Sequence, residues 1–117
     1  AKALKKLGLI SAYQWCFGID DVLNTIGSAP LLLGISWYEG FYNPDKNGLV
    51  KISGRVVGGH ETCITGYQIV GKTISNNLFW IRNSWGQSWG NIGGFCMTVK
   101  TLETLLAKDG DALKLVP

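Results

Sequence analysis

Apolar positions fall at helical spacing in some stretches of the chain and at strand spacing in others. Ile19, Val22, Leu23 and Ile26 follow the i, i+3, i+4, i+7 rhythm of one buried helix face. Asp20 or Asp21 can cap the start of that helix, and Gly27 ends it. Thr101 is expected to cap a second helix, with Leu102, Leu105 and Leu106 facing inward and Gly110 near its end. The opening residues, AKALKKLG, read like the last turns of a helix. Leu4 and Leu7 share a side, the lysines suit a C-terminal turn, and Gly8 fits the stop. Pro30 opens an apolar run, LLLGISWY (31–38), that suits a buried strand. LVKIS (49–53) alternates like a half-buried strand, residues 63–70 are β-rich, and LFWIR (78–82) and FCMTV (95–99) add two more. YNPDKNG (42–48), residues 71–77 and the glycine-rich stretch 83–94 are loops. The tail to Pro117 is expected either to extend the packing or to fray. Together these elements predict one α+β unit with mostly antiparallel strands between flanking helices.

Composition narrows this little. The 117 residues suit a single domain, 46% apolar and 16% charged, against a usual charged share of roughly 25%. The longest apolar stretch, 29–35, is broken by Pro30 and Gly34, far short of the roughly 20 residues a membrane helix needs. A net charge of +3, owed largely to Lys2, Lys5 and Lys6, makes no basic stripe of the kind nucleic acid requires. The three cysteines, Cys16, Cys63 and Cys96, cannot all pair, and they show no CxxC spacing. They lean toward a reducing compartment, and localisation is otherwise unassigned. No secretory leader is readable, because Leu7–Ile10 is too short an apolar core. The chain starts on Ala1, with a helix that ends but has no visible beginning. It reads as a piece of something longer, with 1–18 a remnant or connector.

Two segments could carry chemistry. His60, the single histidine, follows Gly58 and Gly59. A lone histidine is an ordinary satisfied residue in most settings, yet it is also the natural proton carrier near neutrality. Glycines beside it let another chain or a substrate approach the ring. The second segment, RNSWGQSWGNIGGF (82–95), can be a glycine-rich hairpin with tryptophan anchors. It also sets Asn83 at a strand end beside Trp85. An asparagine there can fix the tautomer of an imidazole while an indole keeps water from the bond, the supporting part of a nucleophile–base–orienter set.

GGHETCITGY (58–67) followed by FWIRNSWGQSWGNIGGF (79–95) resembles the papain-like cysteine peptidases, which join a Gly-rich His strand to an NSWG-x-x-WG-x-x-G segment. The resemblance covers residues 19 to 100 and corresponds to the C-terminal half of the family pattern. It implies that the chain, 1–117, is the right-hand lobe, with mostly antiparallel strands in a half-barrel and flanking helices. It implies His60 as general base, Asn83 as its orienter, Trp85 as the shield of their hydrogen bond and Trp89 as an aromatic wall on the leaving-group side. Gly59 would border the substrate cleft. The implied substrate is polypeptide, with no cofactor and no metal.

The family's nucleophile is a cysteine at the start of a helix in the other lobe, behind an upstream glutamine, and that pattern does not occur here. Gln14-Trp15-Cys16 imitates it with the wrong spacing. Cys63, three residues after His60 on one strand, faces the opposite way. Cys96 reads as core, and a zinc site from His60, Cys63 and Cys96 would lack a fourth ligand. The partner expected is therefore an N-terminal lobe, or a companion chain, that supplies the cysteine. The alternative is a non-catalytic papain-like module in a larger assembly. The short loops and Trp37-Tyr38 resemble phage- and bacteria-borne members more than lysosomal ones.

Overall fold

The computed structural model describes residues 2–116; Ala1 and Pro117 lie outside the described residues. Its elements run α1 (Lys2–Lys6), β1 (Ala12–Cys16), α2 (Ile19–Ile26), β2 (Leu31–Tyr38), β3 (Val56–Gln68), β4 (Leu78–Arg82), β5 (Gly94–Thr98), α3 (Val99–Lys108) and β6 (Asp111–Val116). The strands form one sheet in the order β1-β6-β2-β3-β4-β5, and every neighbouring pair is antiparallel. The α+β expectation with mostly antiparallel strands therefore holds. No helix among the described residues is long and apolar enough to cross a membrane.

Strand β2 sits near the centre, paired with β3 on one side and β6 on the other. Its alternate residues Leu31, Leu33, Ile35 and Trp37 are buried, and they meet Ile64 from β3, Phe79 and Ile81 from β4, and Phe95 and Met97 from β5. Val22 of α2 and Val99, Leu102 and Leu105 of α3 close over the same face. The helical spacing of those residues is what allows it: one apolar stripe per helix faces the sheet.

The structure departs from the sequence reading at several element ends. Gly18, not an aspartate, is the N-cap of α2; the Asp21 carboxylate instead accepts the Phe17 N–H at 2.7 Å, one turn back. Thr98, not Thr101, caps α3, and its hydroxyl accepts the Thr101 N–H at 3.1 Å. The first turn of α3 was hidden by FCMTV, whose Val99 is helical rather than extended. LVKIS forms no strand. It makes one parallel bridge, Leu49 to Cys96. Its later hydrogen bonds go elsewhere: Ser53 and Arg55 carbonyls accept the Gly40 and Glu39 N–H groups, each at 3.0 Å. Asp45 fixes that departure, because its carboxylate accepts the Leu49 and Asn47 N–H groups, and those two bonds hold its carboxyl below the usual range. Strand β3 begins at Val56, so His60 lies within it rather than opening it. The tail does not fray: β6 inserts between β1 and β2. β1 had no sequence signal, for AYQWC is short and only Cys16 in it is buried.

Leu33 is fully buried in β2, on the inner face. Leu33→Ala is expected to remove about 3 kcal/mol of stability, through lost burial and the cavity left behind. Urea unfolding should show a lower midpoint with an unchanged slope.

Candidate functional site

Asn83 follows directly on β4 and starts the loop 83–93. The loop is closed at its base. The Asn83 N–H donates to the Gly93 carbonyl at 3.1 Å, and the Arg82 guanidinium donates to the Ile92 carbonyl at 2.9 Å. Gly86, Gly90 and Gly93 all take positive φ inside it. Gly90 is required twice over: at φ 61° a side chain is strained, and a Cβ there would collide with the Gly94 carbonyl. These constraints hold Asn83 at the sheet edge of the loop and turn Trp85 and Trp89 back over the sheet.

His60 comes from β3. Its direct cross-strand partner is Ile35, whose side chain belongs to the core, so the imidazole projects from the inner face at its rim. The His60 Nε2 and Asn83 Oδ1 atoms are 2.8 Å apart. The same Asn83 oxygen accepts the Ser84 N–H at 2.8 Å. A flipped amide would set its NH₂ against that N–H, so the oxygen must face Ser84 and, with it, the imidazole. An oxygen only accepts, and Nε2 must therefore carry the proton. The neutral ring is the Nε2–H tautomer, which leaves the Nδ1 lone pair free to take a proton.

Aromatic rings enclose this pair. Trp85 lies 5.0 Å from the His60 ring, tilted by 34°, and stacks on Tyr42 at 5.5 Å. Trp37 meets the imidazole edge-to-face at 4.8 Å and touches Trp85 at 5.1 Å. Trp89 stands a layer further in, 5.0 Å from Trp85 and 5.6 Å from Phe95, and its indole N–H donates to the Tyr42 carbonyl at 2.9 Å. Gly59 and His60 border two recesses. One, about 200 Å³, is walled by Trp37, Tyr42, Gly58 and Trp85; the other, about 300 Å³, by Gly34, Ser36, Glu61, Asp109 and Asp111. A larger recess of about 740 Å³, among Tyr13, Trp15, Leu32 and Leu113, does not include His60.

The structure thus brings His60, Asn83, Trp85 and Gly59 together. Trp37 and Tyr42 belong with them but were not singled out from sequence. Their only signal was aromatic density, Trp37, Tyr38, Phe41 and Tyr42, around the end of one apolar run. None of the cysteines joins the site. Cys16 is buried on β1 with its sulfur 3.9 Å from the Thr25 hydroxyl, and burial raises its thiol pKa. Cys63 shares a side of β3 with Glu61, while Thr62 and Ile64 on the His60 side are buried. Cys96 lies buried in β5, two strands from β3, and desolvation pushes its thiol up to about 11. All three are free, and no metal-ligating cluster occurs among the described residues.

Comparison with known proteins places this geometry in a wider set. Residues 20–109 match the family described as papain family cysteine protease. An uncharacterised peptidase C1-like protein of Acanthamoeba polyphaga mimivirus is 35% identical over 92 residues, covering 70% of this chain and 28% of the viral protein. A gut-specific cysteine proteinase of Caenorhabditis elegans is 37% identical over 70 residues, covering 58% of this chain and 20% of the nematode protein. The chain thus spans between a fifth and a third of the length of these curated relatives. Among solved structures, xylellain, a cysteine protease from Xylella fastidiosa, superposes with a TM-score of 0.69 at 22% identity over 92% of this chain and 40% of that one. The bromelain protease from Ananas comosus gives 0.64 at 15% identity over 92% of this chain and 50% of that one.

The thiols make a simple test of the cysteine placement. Below pH 9 a thiol with a pKa of about 11 holds about a hundredfold less thiolate than one at 9.0. Alkylation of the native chain with iodoacetamide at mildly alkaline pH should label half-buried Cys63 first, with Cys16 and Cys96 following only on unfolding. Peptide mapping by mass spectrometry reads the order.

Proposed function

Because the chain belongs to the papain family of cysteine proteases, we propose that it is the His- and Asn-bearing part of a peptidase that cleaves polypeptides with a cysteine supplied from outside these residues. The observation that carries this is the 2.8 Å contact between His60 Nε2 and Asn83 Oδ1, with the amide pinned by Ser84. It leaves Nδ1 as the proton acceptor. In the proposed reaction Nδ1 takes the proton of the incoming thiol, and the resulting imidazolium stands beside a thiolate that attacks the peptide carbonyl. The same imidazolium then returns the proton to the leaving amine. Asn83 accepts the Nε2 proton in both charge states, so the ring need not turn between steps.

Trp85 and Trp37 line the imidazole with apolar surface and keep water from its bond to Asn83. Trp89 supports Trp85 from behind, and the leaving group is proposed to lie on the side of these two rings. Gly59 borders both recesses, and its lack of a side chain suits a substrate backbone lying close. The oxyanion donors would come, like the cysteine, from an N-terminal lobe or companion chain. No cofactor or metal enters this chemistry.

The isolated 117-residue chain is expected to cleave no peptide. Joined to a Cys-bearing lobe, in one polypeptide or as a companion, it is expected to hydrolyse fluorogenic peptides and to lose activity on alkylation of the added thiol. In that form His60→Ala should lower kcat/KM by at least about 10²-fold. Turnover surviving His60→Ala would overturn the assignment of the base. A joined form that folds but never cleaves would favour the catalytically silent module.

A further inference from the structure

The glycines before His60 leave its ring without lateral support. A Cβ at Gly58 or Gly59 would meet nothing within 4 Å. The imidazole is therefore held only from the inner face, by the Asn83 hydrogen bond and by the rings of Trp85 and Trp37. These two indoles differ. Trp85 belongs to the loop and is 38% exposed, whereas Trp37 is 2% exposed on the part of β2 that pairs with β3.

Trp37 reaches the ring diagonally. Ile35 stands opposite His60 and Trp37 opposite Gly58, two positions further along. The register shifts immediately after Trp37, and the break in alternation buries Tyr38 beside it. Such a bulge re-aims a side chain. Phe41, Trp85 and Phe95 clamp the indole at 5.1–5.5 Å. Its own N–H is buried without a hydrogen-bond partner. A buried donor left unmet calls for a reason, and ring packing rather than polar satisfaction is what sets the position of this side chain.

We propose that Trp37 is a positioning residue: its indole fixes the plane of the His60 imidazole so that Nε2 stays on Asn83 and Nδ1 stays directed outward. The catalytic weight of this inference rests on the proposed role of His60; the geometry it describes does not. Loss of the indole frees the ring to rotate off Asn83, exposes the Nε2 proton to water and lets the neutral ring divide between tautomers. Trp85 belongs to the more exposed loop, so the buried indole is the firmer of the two supports.

The chain has one histidine, so its imidazole nitrogens give unambiguous ¹⁵N signals. With the ring neutral, the wild-type chain should show one tautomer, protonated on Nε2. In Trp37→Leu the Nε2 proton should exchange with water roughly tenfold faster or more, with the nitrogen shifts moving toward the average of the two tautomers. Trp37→Phe should restore most of the protection. Phe41→Leu removes another fully buried ring of the same cluster, one that contacts Trp37 but not His60, and should leave the imidazole signals in place. A folded Trp37→Leu chain with wild-type imidazole signals would overturn the proposal. So would a Phe41→Leu chain that shifts them as far. Should Trp37→Leu not fold, Trp37→Phe must still displace the signals more than Phe41→Leu does, or the proposal fails. Peptide cleavage is not read, so a failure of the catalytic reading and a failure of this one are separately visible.

Discussion

One carboxamide oxygen accepts two donors, and the rest of the site follows from that. The Ser84 N–H decides which way the Asn83 amide faces, and the amide decides which imidazole nitrogen keeps its proton. A backbone group thereby sets the protonation pattern of a side chain on a distant strand. The glycines of the 83–93 loop serve this bond. Their positive φ values fold the loop back onto its own base, where Asn83 and Gly93 pair. A looser loop would leave Asn83 free to rotate, and the imidazole without a fixed tautomer.

The polar cost of the arrangement is visible in the core around it. The Asn83 NH₂ and the Trp37 indole N–H are both buried without partners. An unmet buried donor costs about 1–3 kcal/mol. Strand β2, paired on both sides and carrying five buried core residues, is the part of the sheet best able to bear that cost. The rings that surround Trp37 are packed for position, and the sheet below supplies the stability.

Much of this was legible before any coordinates. LLLGISWY and LFWIR read as strands over their observed bounds, because continuous or alternating apolar runs flanked by turn formers leave little choice. The helical stripe Ile19–Ile26 was equally plain. The meeting of His60 with Asn83 was expected from two motifs, one on a strand and one in a loop. What escaped notice depended on distant partners. AYQWC becomes a strand against DALKLV, and DALKLV against both AYQWC and β2, and nothing local marks either. LVKIS has the right alternation but spends its hydrogen bonds on Cys96 and on the 39–40 turn. Trp37 looked like one more aromatic in an apolar run, and its approach to His60 depends on a cross-strand register that leaves no trace in composition.

The insertion of β6 between β1 and β2 has a bearing on how this chain reaches its native state. β1 finds its strand partner among the described residues in β6, with Ser11 and Val116 105 positions apart. Until β6 arrives, β1 has nothing to pair with and one margin of β2 is bare. Contacts between remote segments form slowly, and an unsheathed apolar strand is adhesive while it waits. For a folding chain, the hazardous interval therefore ends only when the six-residue strand β6 slots home.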